Sequence, residues 1–229
     1  MKTIVKVALF QLGDYLWGTL YFLGFLGIGL IGRYLLSTPG IENEIRVTTS
    51  AMIVGYAGVR SMRNFAGFQS WHLPRRHFFI ANTLALLAIN VVSVVIGPAL
   101  ESVFGEVLSL EYVSPAEQWL SRGADARAQW AVLWNFSLHL FICFGMWLLM
   151  ALHYRRWLWK ILMLVSIVSM FVHYMGISVI RLIGASLSFL FIGVVDGRAN
   201  VPLAVTNLLL AALLCAGASY LALRRAPIR

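Results

Sequence analysis

R-S-M-R-N-F-A-G-F-Q-S-W-H-L-P-R-R-H, residues 60–77, stands between two long apolar runs and decides how the rest of the chain is read. It holds Arg60, Arg63, Arg75 and Arg76 with His72 and His77 and no acidic residue, so it is too polar and too cationic to cross a bilayer. It reads as a cytoplasmic loop of a membrane protein. Pro74 breaks a helix arriving from the N-terminal side, and its fixed φ suits the first turn of the helix that follows. The expectation is a short surface helix, a kink and a new span.

Working outward, the 229 residues are 60% hydrophobic and 12% charged, far from the roughly 25% charged of soluble domains. A bilayer core about 30 Å thick needs roughly 20 apolar helical residues. Tyr15 to Gly32, Phe78 to Leu100, Ala128 to Leu152, Ile161 to Ile180 and Ala199 to Leu223 contain no Asp, Glu, Lys or Arg. Val47 to Val59 is shorter and extends if Arg46 and Arg60 snorkel to the interfaces. Six spans fit.

The net charge of +9 would suggest nucleic acid in a soluble protein, but here the charges sort by side. Alternating the six spans puts Lys2, Lys6, Arg60, Arg63, Arg75, Arg76, Arg155, Arg156, Lys160, Arg224, Arg225 and Arg229 together. Only Arg33, Arg46, Arg122, Arg127, Arg181 and Arg198 fall opposite. The positive-inside rule then places both termini in the cytoplasm. Of the acidic residues only Asp14 falls on that side. Cys143 and Cys215 lie within apolar runs, so neither a disulfide framework nor a metal site is expected.

Along the chain, residues 1–13 place Ile4, Val5, Ala8, Leu9 and Leu12 on one helical face, which predicts an interfacial amphipathic helix. A cleaved signal peptide is the rival reading, set aside because the apolar run is long and lacks a clear cleavage site. Glycines at 18, 24, 27, 29 and 32 suit close helix packing in the first span, although glycine is simply common in membrane helices. The third span is expected to end at Gly97-Pro98, and residues 101–127 to form an external loop with a short interfacial helix. The stretch 181–198 stays apolar yet must return to the outside, so it reads as a re-entrant or interfacial external segment before the last span; one long tilted helix containing Arg181 is the alternative. The expected fold is an all-α polytopic membrane protein, a single transmembrane domain over 1–229.

With F-x-x-F-Q-S-W-H-L-P-R-R-H-F-F-I at 65–80, the amphipathic leading helix, the basic first cytoplasmic loop and the C-terminal R-R-A-P-I-R, the chain resembles the membrane-spanning permease subunit of ABC transporters of the type-2 exporter class. It departs from that pattern at Leu73-Pro74-Arg75-Arg76, where the serine expected before the arginine is replaced and the lysine often found one turn later is missing. The resemblance implies an integral protein of a bacterial plasma membrane that pairs with a second permease copy, as homodimer or heterodimer, and exports an amphiphilic substrate such as a lipid, peptide or hydrophobic drug. No phosphate loop G-x-x-x-x-G-K-[ST] occurs, so this chain is expected not to be an enzyme, to hold no cofactor of its own, and to rely on a separate ABC ATPase subunit for ATP and Mg. Residues 60–77 become its coupling loop. Arg63, Phe65, Phe68, Trp71, Arg75 and Arg76 are then the candidate ATPase contacts, the aromatics as anchors in a groove. The arginines have a second use open to them, holding anionic lipid headgroups. Arg155, Arg156, Lys160, Arg224 and Arg225 are read as headgroup contacts.

Within the spans, Asn82, Asn90, Ser93, Asn135, Ser137, His139, Ser166, Ser169, His173 and Asn207 read mostly as helix-to-helix hydrogen bonds. His139 and His173 are the deep ionisable candidates. They leave a membrane haem or redox protein as one alternative, with two axial histidines, and a secondary transporter is the other.

Overall fold

A computed structural model describes residues 2–36, 42–70, 72–108, 128–174, 186, 189–191, 193 and 200–224. Among these residues there is no strand. Six long helices follow one another among the described residues as α1 (Lys2–Leu36), α2 (Glu42–Ser70), α3 (Arg75–Leu108), α4 (Ala128–Tyr154), α5 (Leu158–Tyr174) and α6 (Val201–Arg224). Stretches within α3, α4 and α6 are long and apolar enough to cross a membrane: Arg75–Val94, Val132–Tyr154 and Val201–Arg224.

Several helices run further than their apolar cores require. The segment expected as an interfacial helix leading into the first span forms one unbroken helix with it, since α1 runs over 35 residues, about 52 Å at 1.5 Å per residue. Its inward stripe is Ile4, Val7, Ala8, Gln11, Leu12 and Tyr15, while Val5 and Leu9 point away from the bundle. The expected face is therefore rotated. Leucine and valine suit lipid and protein neighbours equally, so their spacing alone did not choose. The residues expected to form a short surface helix after Arg60 instead prolong α2 to Ser70. In the same way α3 passes through Gly97-Pro98 to Leu108, a proline being tolerated within membrane-type helices when neighbours accommodate the lost N–H. Residues 109–127, most of the expected external loop, lie outside the described residues. Of 181–198 only five are described, and two of them are held in place. The Trp134 indole donates to the Phe191 carbonyl at 2.7 Å, and the Asn207 amide to the Phe189 carbonyl at 3.0 Å.

Two turns at one end of the bundle share a device. After α2, His72 adopts φ 56°, with its N–H on the Gln69 carbonyl and the Leu73 N–H on the Phe68 carbonyl. After α4, Arg156 adopts φ 59°, with its N–H on the His153 carbonyl and the Trp157 N–H on the Leu152 carbonyl. Both are Schellman caps that stop a helix by satisfying its last carbonyls, built here with a basic residue at the left-handed position. Pro74 follows, and its carbonyl accepts the first bond of α3 from Phe78. At the start of α6, Asn200 caps the helix by accepting from the Leu203 N–H at 3.1 Å.

Helix α4 packs most extensively on α6 and α2, while α1 lies against α3 and α2. The core between them holds Val54, Phe65, Phe78, Leu86, Ile89 and Trp147. Gly58 lets α2 approach α4 closely: a Cβ there would collide with the Cys143 carbonyl and stand 3.0 Å from the Met146 Cβ. By contrast α5 is peripheral, and its side chains from 159 to 168 are all exposed.

Candidate functional site at the basic end of the bundle

The basic end of the bundle is braced from inside. Asp14 on α1 meets Arg60 on α2 in a two-pronged pair, Nε to Oδ2 at 2.7 Å and Nη2 to Oδ1 at 2.8 Å. The Asn64 amide donates to the same carboxylate at 3.0 Å. Both charged side chains are partly shielded, at 24% exposure for Arg60 and 19% for Asp14. The Arg60 guanidinium holds the Asp14 carboxyl below the usual carboxylate range, Asn64 adds in the same direction, and partial burial opposes them. Arg60 is in turn pushed up, first by its hydrogen bond to Asp14. A planar guanidinium matches a carboxylate at two points, which makes the pair directional as well as attractive.

One residue further along α1, the Tyr15 hydroxyl joins three helices. It donates to Asn82 Oδ1 of α3 at 2.6 Å and lies 3.0 Å from Ser61 Oγ of α2. Ser61 meanwhile bonds the Ala57 carbonyl of its own helix. These groups are fully or almost fully buried. They tie α1, α2 and α3 at one level, immediately inside the Asp14–Arg60 pair.

A third brace holds α6. The last-turn carbonyls of a helix lack partners within it and carry the negative end of its dipole. Here Arg75 of α3 donates to the Arg224 carbonyl at 2.7 Å and reaches that of Leu223 at 3.4 Å. From the α4 side Arg155 donates to the Ala222 carbonyl at 3.2 Å, with its guanidinium carbon 3.9 Å from the centre of the Trp157 ring.

These placements reassign part of the expected site. Phe65 is 1% exposed and Phe68 6% exposed. Phe65 packs edge-on to Phe78 and Tyr154, and Phe68 packs with Phe10 and Phe78. Both rings serve this chain's own core and are not presented as anchors for a partner. Trp71 lies outside the described residues. Arg75, Arg155 and Arg60 are engaged internally, whereas Arg63, Arg76, His72, His77, Arg156 and Lys160 are exposed around the two turns. The Arg224 side chain is exposed too, and Arg225 lies outside the described residues. Sequence reading noted Asp14 only as the lone acidic residue of its side. The signal that pairs it with Arg60 is a carboxylate and an arginine at the same level of two neighbouring apolar helices.

Deeper in the bundle, His139 is buried on α4 with Nδ1 at 3.3 Å from Ser93 Oγ of α3. The His173 side chain lies outside the described residues. Among the described residues no group of three His, Cys, Asp or Glu side chains could hold a metal ion.

The described residues are helical with short turns, and among them three helices are long and apolar enough to cross a membrane. No protein-family model matches the chain, and no curated protein or solved structure does so either.

Proposed function

We propose that the chain is the membrane-spanning subunit of an ATP-driven exporter of the ABC type-2 class. It has six spans with both termini in the cytoplasm of a bacterial cell, and 181–198 forms a re-entrant or interfacial external segment. Two such permease chains enclose the path of an amphiphilic substrate, and ATP and Mg are bound by a separate ATPase subunit.

The observation that carries the reading is the bracing of the basic end. A push on the turn between α2 and α3 is passed to α1 through Arg60 and Asp14, and to α6 through Arg75. Rigid elements tied at one end move as a body, as alternating access requires. The contact with the ATPase uses the exposed cations of that turn, Arg63 and Arg76 with His72 and His77, while the buried Phe65 and Phe68 keep the turn's shape. Arg156, Lys160 and Arg224 hold anionic headgroups beside it, each contributing about 1 kcal/mol.

The test is affinity purification of the tagged full chain from its native membrane in mild detergent, with ATP hydrolysis and nucleotide crosslinking as readouts. The wild type is expected to bring down a nucleotide-hydrolysing chain, and the Arg63→Glu/Arg76→Glu variant to lose it while remaining folded. Wild-type protein that purifies without any nucleotide-binding chain, under conditions that preserve membrane complexes, overturns the proposal.

A further inference from the structure

Asn90 sits on α3 in the middle of an apolar helix and is 0% exposed. Among the described residues neither its amide nitrogen nor its amide oxygen has a hydrogen-bond partner. Eight residues earlier on the same helix, Asn82 has its oxygen satisfied by Tyr15 at 2.6 Å. Burying an amide with neither atom paired is among the costlier arrangements in a protein, more so where water is scarce.

Its surroundings complete a set of polar groups. Ser93, one turn on, donates its hydroxyl proton to the Asn90 backbone carbonyl at 2.9 Å. That proton is therefore spent, and the 3.3 Å contact between Ser93 Oγ and His139 Nδ1 makes Nδ1 the donor. Nε2 then carries the imidazole lone pair. Ser93 thus links His139 to the Asn90 backbone, and beside it the Asn90 side chain offers an amide N–H pair and an amide carbonyl. The cluster offers no charge, because Phe78 to Leu100 and Ala128 to Leu152 contain no Asp, Glu, Lys or Arg. Buried Leu86, Ile89, Leu140 and Cys143 on the same two helices are apolar or weakly polar. An ion finds no counter-charge on these stretches of the two helices. A hydroxyl group suits the unpaired Asn90 amide, since it can accept from the amide N–H and donate to the amide oxygen.

Depth adds to this. From Arg75 to Asn90 and from His139 to Tyr154 are equal steps of 15 residues along α3 and α4, about 22 Å at 1.5 Å per residue. The two side chains therefore stand at one level, well inside a hydrocarbon core of about 30 Å but nearer the end opposite the basic one.

We propose that Asn90, Ser93 and His139 form an intramembrane binding site for a hydroxyl group, carried either by water or by the uncharged head of an amphiphile. The site needs no ATPase, so it stands or falls separately from the exporter reading.

The test uses the full chain in phosphatidylcholine nanodiscs. In a Cys143→Ala/Cys215→Ala background, Ser93→Cys is compared with Leu86→Cys, a buried apolar position on the same helix, for reaction with a small charged methanethiosulfonate. Because the reagent and the thiolate both need water, a site reached by water makes Ser93→Cys react about tenfold faster or more. In parallel, Tm is measured with monoolein and with methyl oleate, which shares the chain and lacks the free hydroxyls. A Tm rise of about 3 °C or more with monoolein alone, absent in Asn90→Leu, identifies the amphiphile head. Faster thiol reaction without a monoolein effect identifies water. If Asn90→Leu fails to fold, Ser93→Ala replaces it as the control. The proposal is overturned when Ser93→Cys reacts no faster than Leu86→Cys and monoolein does no more than methyl oleate.

Discussion

Replacing Asp14 by Asn preserves the outline of the side chain and removes its charge, which isolates the α1–α2 pair. In the wild type the carboxylate accepts two bonds from Arg60 and one from Asn64. An exposed ion pair contributes roughly 0.2–1 kcal/mol, and breaking a fully buried one costs roughly 3–5 kcal/mol. With the partners 19% and 24% exposed, solvent screening puts this pair between those limits. The loss is about 1–2 kcal/mol, which for a chain of this size lowers Tm by about 3–6 °C. The sign of the pH effect follows from the direction of the shift. The folded carboxyl is held below its unfolded value, so the unfolded chain takes up the proton first. The stabilisation is complete above the ordinary carboxylate range of roughly 4 and disappears as pH falls through the lowered folded value. Thermal unfolding of purified protein in nanodiscs, followed from pH 7 to pH 3, reads both quantities. The Asn variant should start lower at pH 7 and lack the wild type's acid limb. Arg60→Met in that background should recover part of the loss, since it removes the unpaired cation. Equal Tm values at pH 7 with parallel acid limbs would refute the bracing argument.

Two further predictions concern the core. Gly58→Val forces a side chain against the Cys143 carbonyl and Met146 and should cost about 1–3 kcal/mol, seen as a lower Tm and a loss of monodisperse protein on size exclusion. Tyr15→Phe leaves Asn82 Oδ1 buried without its donor and should cost about 1–2 kcal/mol, whereas Tyr15→Phe/Asn82→Leu should regain most of it because both polar partners are gone; a double-mutant cycle by thermal unfolding checks the non-additivity.

The basic end shows how much of such a site a sequence can carry. Arg60, Arg63, Arg75 and Arg76 were visible as cations grouped beside a helix break, and the break is where α2 hands over to α3. Their division of labour was not visible. Arg75 and Arg76 are adjacent in sequence, yet Arg75 closes the end of α6 while Arg76 is exposed, because a helix turns successive side chains through about 100°. Phe65 and Phe68 were expected as anchors for the ATPase that the family resemblance implies, in a stretch read as a cytoplasmic loop. The prolonged α2 instead turns them onto Phe78 and Tyr154.

What the sequence by itself determined is the set of things that depend on composition and local order. An excess of apolar residues in charge-free runs specifies helices long enough for a membrane, because backbone groups in hydrocarbon must be paired within the segment. Pro74 and the basic stretch around it specify where α2 hands over to α3. The tertiary structure alone decided which face of each helix points inward. Lipid and protein core are equally apolar, so hydrophobicity cannot separate them. The choice is made by a few groups that meet only after the helices assemble: Asp14 with Arg60, Tyr15 with Ser61 and Asn82, Ser93 with His139, and the bare Cα of Gly58 against α4.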